Sequence, residues 1–331
     1  MSFVAPSASG AAPSRAVPSG AGATLPARLS PIFGSPVRAG VALIGVLVGL
    51  AVARGAFDSI DARTAWEAAS WPQLYPVTWS VESTKYVYPP PLAEALGLLR
   101  FIPWPIFIVG WMTLLFATFG FVARRWALPL IALGTAYFAL PQVLPPVTST
   151  VLGWLLIGNV QILLAAVTIL GFRWPAIWAL ATLTKVGPGI GLLWFALRRE
   201  WWSLAQALLA TAIIGLISFI AWPSSWFEWV AFLQRNASAP PPVPVVPVPF
   251  VLRLAMSTAL IAWGAMTNRR WTVPVAAGWA SPQLYEYSYL VIWLAAIPLL
   301  ADRHRRWTSS SSVRSLIARL RGNGSPSNAG A

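Results

Sequence analysis

Two carboxylates three positions apart, Asp58 and Asp61 in the stretch FDSIDAR, directly follow a run of about twenty mostly apolar residues. On a helix they would share a face, although Asp58 could instead be the helix cap and leave Asp61 to act alone. Two carboxylates can in principle hold a divalent ion, but no further ligands accompany this pair. The second charge of interest is Lys185, one of only two lysines, set among apolar residues in ALATLTKVGPGIGLLW. A charge at mid-membrane costs about 2.5–3.5 kcal/mol on insertion scales, so such a lysine is a functional candidate by default. It either holds a phosphate, helped by the partial positive end of the half-helix that follows, or snorkels to the interface. Asn159 and Gln161 in LLIGNVQILLA are amides entering an apolar run, where hydrogen bonding between helices is one use for them.

The elements that must position these groups are membrane spans. Of the 331 residues 57% are hydrophobic and 10% charged, and mean hydropathy is strongly positive, a balance no water-soluble core of this length needs. Residues 1–36 are rich in Ser, Ala, Gly and Pro without hydrophobic periodicity and are expected to be a disordered cytoplasmic N-terminus. Residues 37–302 form the membrane-embedded unit, and 303–331 a basic, disordered cytoplasmic tail that carries the lone His304 at a solvated or headgroup position. The first apolar run also carries Ala51-Val52-Ala53, similar to a signal-peptidase site; cleaved or not, it delivers Asp58 and Asp61 outside. Later runs fall near 104–122, 126–144, 151–171, 203–222, 250–267 and 285–301.

Two shorter pieces decide the topology. The residues between Arg173 and Arg198 would make one span, but that would carry Arg198 and Arg199 outside; a hairpin of two half-helices breaking at TKVGPG keeps both ends inside. The stretch 271–300, broken around ASPQLYEY, is a second candidate for the same arrangement. The expected fold is therefore all-α and polytopic, with about 10 transmembrane segments including the broken hairpins, and both termini cytoplasmic. On this path sixteen of the 23 basic residues lie inside and seven of the nine acids outside, which suggests a polar site on the outer face. The first outer loop, residues 58–103, is far longer than a connector needs and is expected to carry a short helix in SIDARTAWEAASWPQLY and an interfacial helix in LAEALGLLRF.

Taken in order, Asp, aromatic, EAA, then YPP, then GNVQ entering a span, then Lys at a helix break before RREWW, then SP with aromatics, the chain resembles integral-membrane glycosyltransferases of the GT-C fold. Within these it is similar to the polyprenyl-phosphate-mannose-dependent alpha-mannosyltransferases, over roughly residues 40–302. The resemblance implies Asp61 as general base, with Asp58 as second choice, and inverting single displacement from a polyprenyl-phosphate sugar to a lipid-linked or glycan acceptor. It implies Lys185 on the donor phosphate and Tyr86, Tyr88, Asn159, Gln161, Tyr285, Glu286 and Tyr287 as substrate contacts. Pro89, Pro90 and Pro91 would fix the turn after the tyrosines. GNVQ exchanges the amides of the family's GQVN, and Glu286 or Tyr287 stands where the family often has His.

Most of the twenty tryptophans lie near span ends as interface anchors, with Trp79, Trp104 and Trp226 placed to reach an outer cavity. The proline-rich NASAPPPVPVVPVPF is an extended outer connector. Short arginine clusters between apolar runs argue against nucleic acid, and the absence of cysteine excludes disulfides and thiolate metal sites. No cofactor or metal is expected; the partners are the lipid donor, the acceptor and membrane lipids. Two other classes fit the spans: a transporter or lipid flippase, and a non-catalytic membrane scaffold.

Overall fold

The computed structural model describes residues 35–68, 70, 74–75, 86–139, 150–236, 246–281 and 289–301. Among these residues the fold is all-α, with no strand. Three helical stretches are long and apolar enough to cross a membrane: Pro36–Ala53, Trp104–Phe138 and Trp201–Ala221.

The first of these, α1 (Pro36–Ala53), begins with Ser35 as cap and Pro36 in its first turn, a position that needs no N–H donor. It lies antiparallel along α4 (Trp104–Ala123). Gly45 and Gly49 make the approach possible, because a Cβ at Gly45 would fall 2.7 Å from the Met112 carbonyl and one at Gly49 2.6 Å from Val109 Cα. Two glycines four apart are the small-residue seam by which helices pack in lipid, where apolar area alone gives no drive to associate. Arg124, at φ +55°, and a short 3₁₀ turn then divide the second long stretch, so that α5 (Ala127–Phe138) starts a new direction.

Between α1 and α4 lie α2 (Ile60–Ala68) and α3 (Pro90–Gly97). The helix expected from Ser59 onward stops at Ala68 because both the backbone N–H and the hydroxyl of Ser70 turn back to the Glu67 carbonyl, at 2.8 and 2.6 Å. The interfacial helix starts two residues earlier than LAEALGLLRF, with the prolines as its first turn.

After α6 (Val151–Leu156) and α7 (Gln161–Leu170) comes the first broken segment. A 3₁₀ turn and α8 (Trp178–Thr184) rise to Lys185; a 3₁₀ stretch over Gly187–Leu192 and α9 (Leu193–Leu197) return. The two arms are antiparallel: the Trp178 ring covers Gly191, and Phe172 at one base meets Trp194 at 5.4 Å on the other. Then follow α10 (Trp201–Ala221), α11 (Pro223–Asn236), α12 (Phe250–Met266), α13 (Thr272–Trp279) and α14 (Tyr289–Trp293). The last two also pair: Trp293 Nε1 donates to the Val275 carbonyl at 3.0 Å and Trp279 stacks on Tyr289.

In α4 and in both arms of the hairpin the arginines stand 12 or 13 residues, roughly 18–20 Å, from the polar residues gathered at the other end. Arg124 is that far from Trp111, and Arg173 and Arg198 are that far from Lys185. The basic end is knit by Arg270 over Phe172 at 5.0 Å and by Arg198, which donates to the Ala265 carbonyl at 3.0 Å.

Candidate functional site

The site is built on the turn between α6 and α7. Thr150 caps α6 by accepting from the Gly153 N–H at 2.9 Å, and the helix closes on Gly158, whose φ of +83° is the left-handed conformation glycine adopts without strain. A side chain there would also collide with the outer loop, since a Cβ would lie 2.5 Å from Ala62 Cβ and 2.7 Å from Ser59 Oγ. The glycine therefore lets the first turn of α2 sit directly on this corner. Two of the N–H groups that every helix leaves without internal partners, those of Asp61 and Ala62, donate to the Ile157 carbonyl at 2.9 and 3.3 Å. Trp111 Nε1 donates to the Gly158 carbonyl at 2.9 Å and ties the corner to α4.

This fixes Asp61 beside Asn159. The Asn159 Oδ1 accepts from the Gln161 N–H at 3.0 Å and so caps α7, which leaves the amide Nδ2 pointing the other way, where it donates to Asp61 Oδ2 at 2.5 Å. Burial pushes the Asp61 carboxyl above its ordinary 3.8, while the Asn159 hydrogen bond and the charge of Lys185 pull it down; burial is the larger effect.

Lys185 reaches the same place from the tip of the hairpin. It is the one extended residue between the two arms, at φ −140° and ψ 121°, and its N–H still closes α8 on the Ala181 carbonyl at 2.9 Å. Its ammonium lies 5.3 Å from the centre of the Tyr88 ring and is electrostatically coupled to Asp61, without forming an ion pair or hydrogen bond to any described residue. Asp61 and Lys185 are both half-buried, so each keeps part of its surface accessible. Tyr88 is held by its backbone, whose carbonyl accepts from the Tyr75 hydroxyl at 2.7 Å; Tyr86, buried, donates to the Pro89 carbonyl at 2.9 Å and meets Tyr88 edge-on. The prolines and tyrosines thus form one rigid corner.

Of the residues singled out in the sequence, Asp61, Asn159, Lys185 and Tyr88 come together, with Tyr86 behind them. Gln161 is buried; its backbone serves the cap, and its Oε1 has no partner among the described residues. Asp58 is exposed and makes no capping bond; the Ser59 carbonyl takes the first helical N–H instead, that of Arg63 at 2.9 Å. Tyr285, Glu286, Tyr287 and Trp79 lie outside the described residues. Trp104 packs under the Arg63 guanidinium at 4.3 Å, and Trp226 donates to Ser218 at 2.8 Å, each away from Asp61. Among the described residues no group of three or more His, Cys, Asp or Glu is placed to hold a metal.

The sequence reading passed over Arg253. It is buried and donates to the carbonyls of Val248, Trp279 and Ser281 at 3.0, 3.0 and 2.6 Å, clamping the end of the proline-rich connector to the end of α13. The hairpin tip packs on the same place, with Gly187 against Ala280 and Ser281. An arginine inside the apolar run 250–267, on the side the topology leaves poor in basic residues, was the signal available.

No protein-family model, curated protein or solved structure matches this chain. The chemistry of the site therefore stands on its geometry: a half-buried carboxylate able to accept a proton, aimed by an amide, and a cation beside Tyr88 able to hold an anion. Gly158→Ala tests how tightly that geometry is set. It forces a left-handed alanine against Ala62 and is expected to lower stability by about 1–3 kcal/mol, read from thermal or denaturant unfolding of the full chain in detergent.

Proposed function

We propose that this chain is a polytopic membrane glycosyltransferase of the GT-C type, in the cell membrane with both termini cytoplasmic. It has about ten segments entering the bilayer when the broken hairpins are counted with the long spans. It moves a mannose-like sugar from a polyprenyl-phosphate donor to a lipid-linked or glycan acceptor at the outer face. The observation that carries this reading is the meeting of Asp61, aimed by Asn159, with Lys185 at the end of the bundle opposite Arg124, Arg173 and Arg198.

Asp61 takes the proton of the acceptor hydroxyl as its oxygen attacks the anomeric carbon. The bond from that carbon to the phosphate oxygen breaks on the opposite face, and its electron pair leaves with the polyprenyl phosphate. Lys185 neutralises that leaving group. One displacement inverts the anomeric centre. The test is incubation of the purified full chain with a panel of polyprenyl-phosphate sugars and membrane lipid extract; release of lipid phosphate with formation of a glycoside is expected, and no release with any donor overturns the reading. A transporter or flippase has the hairpin broken at Lys185 in its favour. Against it, Asp61 sits on a loop helix outside the long apolar stretches.

A further inference from the structure

A hollow of about 330 Å³ lies at the far end of α2 from Asp61. Its walls are Ala68, the last residue of α2; Glu94 on α3 and Arg100 just beyond it; and Trp222 and Ser225 at the corner where α10 gives way to α11. Its volume is at the small end of the range of about 300–1,000 Å³ typical of small-molecule sites.

The corner is there for a reason the sequence states. Pro223 cannot continue α10, so Trp222 breaks out of helical geometry at φ −141° and ψ 69°, and α11 departs in a new direction. The indole of Trp226 then donates to Ser218 at 2.8 Å and locks the bend. Trp222 is left 48% exposed, with its ring available at the mouth.

The polar groups inside are opposite in charge but not spent on each other. Glu94 and Arg100 share a wall, yet they form no ion pair with each other. The Ser218 hydroxyl lies against one oxygen of Glu94, while the other oxygen is buried and has no partner among the described residues. A buried carboxylate oxygen without a hydrogen bond is costly, and such a group calls for a donor. An acceptor, a five-donor guanidinium, the Ser225 hydroxyl and an indole face, with no net charge between the two ionic groups, suit a neutral ligand dense in hydroxyls. An anion would meet Glu94 and an apolar ligand would strand both charges.

We propose that this hollow binds a sugar unit of the acceptor, an inference that rests on the transferase reading above. Ala68 follows Asp61 by seven residues, which is roughly 10 Å along α2 and on the same helical face, so a short glycan spans the two places.

The experiment is saturation-transfer NMR on the full chain in detergent, with methyl α-mannopyranoside, methyl α-glucopyranoside and methyl α-arabinofuranoside as probes. A signal from at least one sugar is expected for the wild type and for Asp61→Asn and Lys185→Gln. It should fall several-fold in Trp222→Ala and in the near-isosteric Glu94→Gln, whose folding is checked by thermal unfolding. In the transfer assay the same two variants raise acceptor KM about tenfold with kcat little changed. No sugar signal in the wild type overturns the proposal. So does a signal that survives in both hollow variants or disappears in Lys185→Gln, which would put the sugar beside Asp61. A chain that binds sugar through Trp222 and Glu94 but turns over no donor overturns the transferase reading and leaves this site in place.

Discussion

Asp61→Asn lowers glycosyl transfer by about 10²–10⁴-fold in kcat, the range a positioned general base contributes, while the protein folds as before. The substitution is close to isosteric, and what positions residue 61 is its backbone N–H on the Ile157 carbonyl, which the change leaves alone. The introduced amide can still offer an oxygen to the Asn159 Nδ2, so the hydrogen bond at 2.5 Å has a replacement. What disappears is the proton acceptor. Stability moves the other way. Burial holds the Asp61 carboxyl above its ordinary 3.8, so the folded chain binds the proton more tightly than the unfolded one. Its contribution to stability is then fully present below that ordinary value and is lost as pH rises through the raised one. At neutral pH the buried carboxylate is a liability that the amide removes, and the unfolding midpoint of Asp61→Asn is expected to equal or exceed that of the wild type. In the wild type kcat/KM falls on the acid side with a midpoint above pH 3.8, and this limb is missing from the residual rate of the variant. Undiminished transfer in a folded Asp61→Asn protein removes Asp61 from the role of base.

The sequence pointed to these partners one at a time, and it did so through their cost. A lysine in an apolar run, a carboxylate after a long hydrophobic segment and two amides at the start of another are each expensive in lipid, so each stands out without any knowledge of the fold. The break at Lys185 was also visible, because Gly187 and Pro188 follow it and Arg173 and the Arg198-Arg199 pair want one side. What no local signal carried was the joint. Asp61 and Asn159 are 98 residues apart in the chain, and they meet because one backbone carbonyl, that of Ile157, satisfies the open N–H groups of a helix from a distant loop. That contact depends on the missing side chain of Gly158, which reads in sequence only as a turn. The division of labour between Asp58 and Asp61 was hidden for a related reason. Three-residue spacing puts both on one helical face, but the helix begins after Asp58, and Ser59 takes the position the pattern offered to the aspartate.

Lys185→Gln lowers kcat by about 10²–10³-fold, the cost of removing one preorganised group facing developing negative charge, and it also changes the pH dependence of the base whose carboxyl it pulls down. The two effects have one origin. The ammonium lies over Tyr88 with no ion pair to neutralise it among the described residues, so its field reaches both the leaving phosphate and the Asp61 carboxylate. Because that field pulls the Asp61 carboxyl down against burial, deleting the charge lets burial act unopposed except by Asn159, and the carboxyl rises further. The acid limb of kcat/KM must therefore move to higher pH in Lys185→Gln and stay near its wild-type place in Lys185→Arg, which keeps a cation at the tip. Folding does not confound the measurement, since removing a charge from an apolar segment lowers the insertion cost. A purely structural or snorkelling lysine would alter stability without touching that limb. A rate loss with an unmoved acid limb would mean that the hairpin tip and the α2 carboxylate do not act on each other, and the assignment of base and phosphate holder to a single reaction would fall with it.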